Sequence, residues 1–135
     1  MREIMFRGKR LDNGRWVRGL PFAVHSGLKI EGIETWDGER HLVDTKTVGQ
    51  YTGMVDKNGT KIFEGDVVRT KYGRLCVVVW FSSNGCIGWD LMPVDTVENC
   101  VHTKAPDAYD VFKKDNLEVI GNIHDNPEFE VRNEV

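Results

Sequence analysis

Apolar residues along this chain come in short alternating runs punctuated by glycine and asparagine, the pattern of strands joined by tight turns. The first such unit, Ile4 to Phe22, sets Asp12-Asn13-Gly14 between Met5-Phe6 and Trp16-Val17. Asn-Gly supplies the two positive-φ residues of a type I′ turn, whose twist suits paired strands. Asn13-Gly14 is therefore expected as a two-residue loop that sets Leu11 against Trp16. In residues 23–47 the alternation is looser, through Val24, Leu28, Ile30 and Ile33, and Trp36-Asp37-Gly38 marks a further turn. Two short strands are expected there, near 28–35 and 40–44.

The run from Val48 to Val67, VGQYTGMVDKNGTKIFEGDV, carries four glycines and a Lys57-Asn58-Gly59 turn between short apolar segments. It reads as strands at 48–55, 61–63 and 67–69 around turns at 56–59 and 64–66. Its glycines, Gly53, Gly59 and Gly65, echo the spacing of Gly8, Gly14 and Gly19. Few residues beyond glycine and asparagine are shared, so recurrent turn chemistry explains the echo better than a duplication.

The clearest meander follows. Asp66 to Lys71 leads through Tyr72-Gly73 into Arg74 to Phe81, then through Asn84-Gly85 into Cys86 to Met92. A two-residue loop at Asn84-Gly85 pairs Trp80 with Trp89, whereas a four-residue loop would pair Phe81 with Cys86. Val77-Val78-Val79 is apolar on both strand faces, which predicts a central strand covered on each side. The Glu64-to-Val68 segment, the Tyr-Gly turn and the valine-rich strand together suggest an SH3-like part. Beyond Pro93 the period of two fades. Pro106-Asp107-Ala108 before Tyr109, Phe112 and Lys113 predicts one short helix near 107–114. A last strand at 117–123 precedes an acidic tail, 126–135, that opens with Asn126-Pro127. The expected fold is thus mainly β, with antiparallel hairpins and a meander forming a barrel-like domain. Its 135 residues suit a single domain, or two intertwined subdomains at about 1–60 and 61–125.

Composition changes this picture little. Hydrophobic residues are 40% and charged residues 29%, ordinary for a folded domain. A net charge of −3 argues against a protein devoted to binding nucleic-acid phosphates. The longest apolar run, Leu75 to Phe81, is far short of the ~20 residues that span a bilayer, so no membrane association and a cytoplasmic location are expected. Cys76, Cys86 and Cys100 are odd in number and irregular in spacing, as expected of free thiols in a reducing compartment.

Candidate chemistry is sparse. Cys100 and His102 are the nearest pair of metal donors, and His25, His41 and His124 are scattered without zinc-site spacing, so no metal is expected. Cys76 lies mid-strand, where burial quenches a thiol, and Cys86 has no motif around it. Asp56, Glu64, Asp66 and Asp90 sit beside turn residues, where carboxylates cap backbone. No phosphate-binding glycine motif occurs, so no cofactor and no catalytic residue are assigned. Two surfaces stand out instead. The first hairpin interleaves Arg7, Lys9, Arg10, Arg15 and Arg18 with Phe6 and Trp16, the mixture used by single-strand binders. Core aromatics beneath a solvated arginine face explain the same pattern more simply. Trp36, in a turn, is a candidate interface anchor. Exposed strand edges also invite a homo-oligomer.

Three segments resemble the YopX family of phage and prophage proteins: MREIMFRGKR at 1–10 with Asn13-Gly14 and Trp16-Val17, the stretch from Thr47 to Val68, and LEVIGNIHDNPE at 117–128. The resemblance implies a β-rich fold and a bacterial cytoplasmic setting, and it brings no reaction or catalytic residue. Val94 to Asn116 lies outside it. The expected function is that of a non-enzymatic accessory protein that acts through self-association or by binding a host or phage macromolecule, with Arg7, Arg15, Arg18 and Trp36 as the candidate interaction surface. The alternatives are a nucleic-acid-binding regulator that uses the basic hairpin, and a small enzyme.

Overall fold

The alternating runs within the described residues become antiparallel strands in the computed structural model, which describes residues 3–23, 30–71, 73–83, 86–94 and 117–127. Nine strands and no helix occur among the described residues. The expected helix near 107–114, with Cys100, His102 and His25, lies outside them, as does the tail beyond residue 127. The chain divides into two compact units, Met1–Gly53 and Met54–Val135.

The first unit holds β1 (Phe6–Arg10), β2 (Trp16–Phe22), β3 (Gly32–Glu34) and most of β4 (Arg40–Val55). These strands pair in sequence, and β1 pairs with β4 as well, so the sheet closes on itself as a ring. Val17, Ile33 and Val43 alternate onto the inner face and are buried there, with Phe6 and Val48 packed against them. Two glycines make so tight a ring possible. A Cβ at Gly8 would lie 3.0 Å from Cβ of Val43, and one at Gly19 would lie 1.9 Å from the Glu34 carbonyl oxygen.

Two expectations fail in this unit. Lys9, not Leu11, pairs with Trp16. The loop contains four residues because Gly14 N–H bonds back to Arg10 O at 2.9 Å and Arg10 N–H bonds to Arg15 O at 2.9 Å. Asn13 serves the turn with its side chain, Oδ1 accepting from Arg15 N–H at 2.9 Å, and Gly14 takes φ of 70°. Arg10 clamps the loop through a 2.6 Å ion pair with Asp12. The strand expected at 40–44 also does not stop there but continues as a sixteen-residue β4. It bulges where the β1 register jumps from Arg7↔Gly49 to Lys9↔Asp44. Buried Thr47 repairs the ladder there: its Oγ1 accepts from Lys9 N–H at 2.8 Å and donates to Asp44 O at 2.6 Å.

The second unit holds the end of β4, β5 (Lys61–Phe63), which pairs with β4, and a four-stranded sheet ordered β8-β7-β6-β9. Its strands are β6 (Asp66–Thr70), β7 (Leu75–Ser83), β8 (Cys86–Pro93) and β9 (Leu117–Asn122). The meander forms as expected. Ser83↔Cys86 closes the hairpin and Trp80 faces Trp89, ring centroids 4.9 Å apart at 75°. Such edge-to-face pairs add about 0.5–1.5 kcal/mol beyond area burial. Val77 and Val78 point to opposite faces and are 2% and 0% exposed, which confirms β7 as a strand covered on both sides. One core cluster joins Ile62, Val68, Cys76, Val78, Leu91 and Leu117. The segment expected as SH3-like forms the middle of this open sheet, whereas ring closure belongs to the first unit.

Candidate interaction surface

On the ring, the parity that sends Val17, Ile33 and Val43 inward sends Leu20, Phe22 and Leu42 outward. Phe22 pairs with Gly32 and Gly32 with Leu42, and Leu11 N–H bonds to Leu42 O at 3.0 Å, which places Leu11 beside Leu42. The result is a row across the outside of the ring, Leu11, Leu42, Gly32 and Phe22. Gly32 is required in it, since a Cβ there would lie 2.4 Å from Phe22 Cζ. Leu11 and Leu42 are 65% and 52% exposed, and Leu20, one step along β2, is 41% exposed. Leu11, Asp12, Arg40, His41 and Leu42 line a shallow recess of about 330 Å³.

Charge frames this row in paired form. Arg40 bonds Glu34 at 2.8 Å and stacks its guanidinium 4.9 Å over Phe22. His41 meets Glu39 at 3.2 Å. Arg10 holds the Asp12 carboxyl below its usual range, first through their hydrogen bond. Beside the row, the Thr35–Glu39 turn is built by Thr35, whose hydroxyl bonds Asp37 and draws that carboxyl's pKa down. Trp36 projects from this turn, 63% exposed.

The four residues singled out from sequence differ in exposure, and Arg7 pairs with Arg18 across the β1–β2 ladder. Arg7 is buried, with its guanidinium 4.5 Å over the Trp16 ring and Lys9 Nζ 5.5 Å from the same ring. Arg15 and Arg18 are exposed, just after the loop and on β2. Trp36 stands at a different turn. Sequence reasoning missed Leu11, Leu20, Phe22 and Leu42. A signal existed, because β2 is apolar at both parities, but only the inner partners show which parity faces out.

Asp56, Asp66 and Asp90 accept from backbone N–H groups, and Asp56 does more than cap its own turn. Fully buried, it accepts from Asn58 N–H at 2.8 Å and Thr60 N–H at 2.9 Å through Oδ1. Oδ2 accepts from Val119 N–H on β9 at 2.9 Å. Burial pushes its pKa up, but the N–H groups of Val119, Thr60 and Asn58, with the charge of Lys57, outweigh it and hold the carboxyl below its ordinary value. Asp66 accepts from Phe63 N–H at 2.8 Å, and Asn122 Oδ1 accepts from His124 and Asp125 N–H at 3.0 and 2.8 Å. Cys76 is a buried free thiol. Among the described residues no three metal-ligating side chains gather, and no helix is long and apolar enough to cross a membrane.

A closed strand ring in one unit, and in the other an open four-stranded sheet whose turns are capped by side chains such as Asp56, define a class of mostly β protein. The chain belongs to the YopX protein family, which matches residues 6–129. It is similar in structure to protein EF1440 from Enterococcus faecalis, with a TM-score of 0.53 and 23% identity over 95% of this chain and 98% of that one, a likeness of fold. No curated protein matches the chain.

Proposed function

We propose that this protein is a non-catalytic accessory protein of phage or prophage origin that works in the bacterial cytoplasm by binding, either to a second copy or to a host or phage macromolecule. The observation that supports this reading is the outward row of Leu11, Leu42 and Phe22 with neighbouring Leu20. Leucines this exposed and this close together on a small ring are the kind of patch that interfaces bury. Arg40 and Trp36 at its margin are residue types that anchor interfaces. Capture of tagged protein from cells during phage induction tests it. Leu11→Ser with Leu42→Ser is expected to abolish a co-purifying partner while the far-ultraviolet spectrum stays unchanged. Undiminished capture by the folded double variant would overturn the reading.

Nucleic-acid binding stands second. Exposed Arg15 and Arg18 support it, but Trp16, its natural base platform, already carries Arg7 over its ring. Single-stranded DNA or RNA retention that falls steeply with salt, and falls again in Arg15→Ala with Arg18→Ala, would promote it.

A further inference from the structure

The four-stranded sheet has two outer strands, and among the described residues only one of them, β9, is covered along its edge. On β9 the outer edge is closed by the neighbouring turn, since Val119 N–H bonds Asp56 Oδ2 and Lys57 N–H bonds Leu117 O at 3.0 Å. No such cover lies along β8 among the described residues. The parity of its hydrogen bonding is fixed at both ends: Ser83↔Cys86 closes the hairpin, and Val94 N–H bonds Leu75 O at 3.1 Å. Even-numbered residues of β8 therefore bond to β7, and Ile87, Trp89, Leu91 and Pro93 turn their backbone groups outward.

This edge is blocked at one end and open at the other. Asp90 Oδ1 takes the Leu91 N–H at 2.8 Å, and Pro93 has none to give. Near the hairpin tip the backbone groups of Ile87 and Trp89 remain. The tip also runs past β6, whose last pairing with β7 is Val67↔Val77, so the hairpin stands out as an arm. On the other side of the arm, Gly65 N–H bonds Val78 O at 2.8 Å, and a strand added there would abut that turn. The arm continues the core face of Val78 and Leu91 outward as Trp80, Trp89 and Ile87, with Trp80 48% and Ile87 69% exposed.

We propose that β8 pairs antiparallel with β8 of a second copy about a two-fold axis at Gly88, with Ile87 opposite Trp89 of the other copy. The inference rests on the binding reading above and names one partner at a different surface. An isologous contact requires a self-complementary edge, and this one has it. Each Ile87–Trp89 pair exchanges two backbone hydrogen bonds, giving four about the axis. Gly88 meets Gly88 on the axis without side chains, so the backbones approach freely. The only charge on β8, Asp90, falls opposite Cys86 and not opposite its own copy, so no like charges meet. Ile87 and Trp89 from the two copies then form one apolar strip with both Trp80 rings, covering the surface that is exposed in one chain.

Sedimentation of the full chain across the micromolar range tests this. The native protein is expected at twice the chain mass at the upper end. Ile87→Pro removes an outward N–H without touching the β7 ladder and is expected to weaken dimerisation by about tenfold or more. Ile87→Lys places a charge in the strip and is expected to give monomers, whereas Ile120→Lys on β9 is expected to leave the dimer intact. A native monomer throughout, or a dimer indifferent to both folded Ile87 variants, would overturn the proposal. Leu11→Ser with Leu42→Ser is expected to remain dimeric, and the Ile87 variants to retain capture of a foreign partner, so failure at either surface is read separately.

Discussion

Asp56 carries three backbone donors on one carboxylate, and its substitution is expected to be the costliest of the turn residues. Asp56→Ala strands the N–H groups of Asn58, Thr60 and Val119 and should lower stability by about 3–5 kcal/mol, read by urea unfolding. Asp56→Asn keeps one acceptor, turns an amide against a donor, and should cost about 2 kcal/mol. Because the folded pKa lies below the unfolded one, the stabilisation is fully present above the ordinary carboxylate pKa of about 3.9 and is lost as pH falls toward the folded value. The gap between native protein and Asp56→Asn should accordingly narrow below about pH 4 in a pH series of unfolding curves. A gap unchanged in acid would mean that the carboxylate charge is not what the three donors hold.

Among the elements, the β1–β4 seam depends on two local devices. Thr47→Val removes the hydroxyl that replaces a ladder partner for Lys9 N–H, and should cost about 1–2 kcal/mol in urea unfolding. An unaltered midpoint would show that solvent satisfies this amide equally well. Gly19 lies where β2 passes from pairing with β1 to pairing with β3, and any Cβ there meets the Glu34 carbonyl, a backbone atom that cannot rotate away. Gly19→Ala is expected to cost about 3 kcal/mol. By contrast the β7–β8 hairpin is set by local grammar: the Asn84-Gly85 loop length alone brought Trp80 to Trp89.

Across the molecule, stability and binding are expected to separate. Ile33, wholly buried inside the ring, should cost about 3 kcal/mol as Ile33→Ala, read as a lowered melting temperature. Leu11→Ser with Leu42→Ser should change stability by no more than about 0.5 kcal/mol per site, since both side chains already face water. A large loss there would mean that the outward row supports the fold. The strands and turns were legible because period-two alternation and Asn-Gly chemistry act over a few residues. Which residues share the outward face of the ring was not. Arg7, chosen for its charge, is stacked against Trp16, and Leu11, expected to face Trp16, lies beside Leu42 instead.

Local sequence determined that this chain makes antiparallel strands, where most of them turn, the register of the Trp80–Trp89 hairpin and the central place of Val77 to Val79. Those properties rest on neighbours in the chain. Only the tertiary structure decided that β1 pairs twice and closes a ring, that Asp56 reaches across 63 residues to Val119, and that Leu11, Leu20 and Leu42 face out. The reason is physical: a strand apolar on both faces does not say which face is inside, and ring closure is settled by pairings between residues far apart in the chain, whose energies no local pattern records.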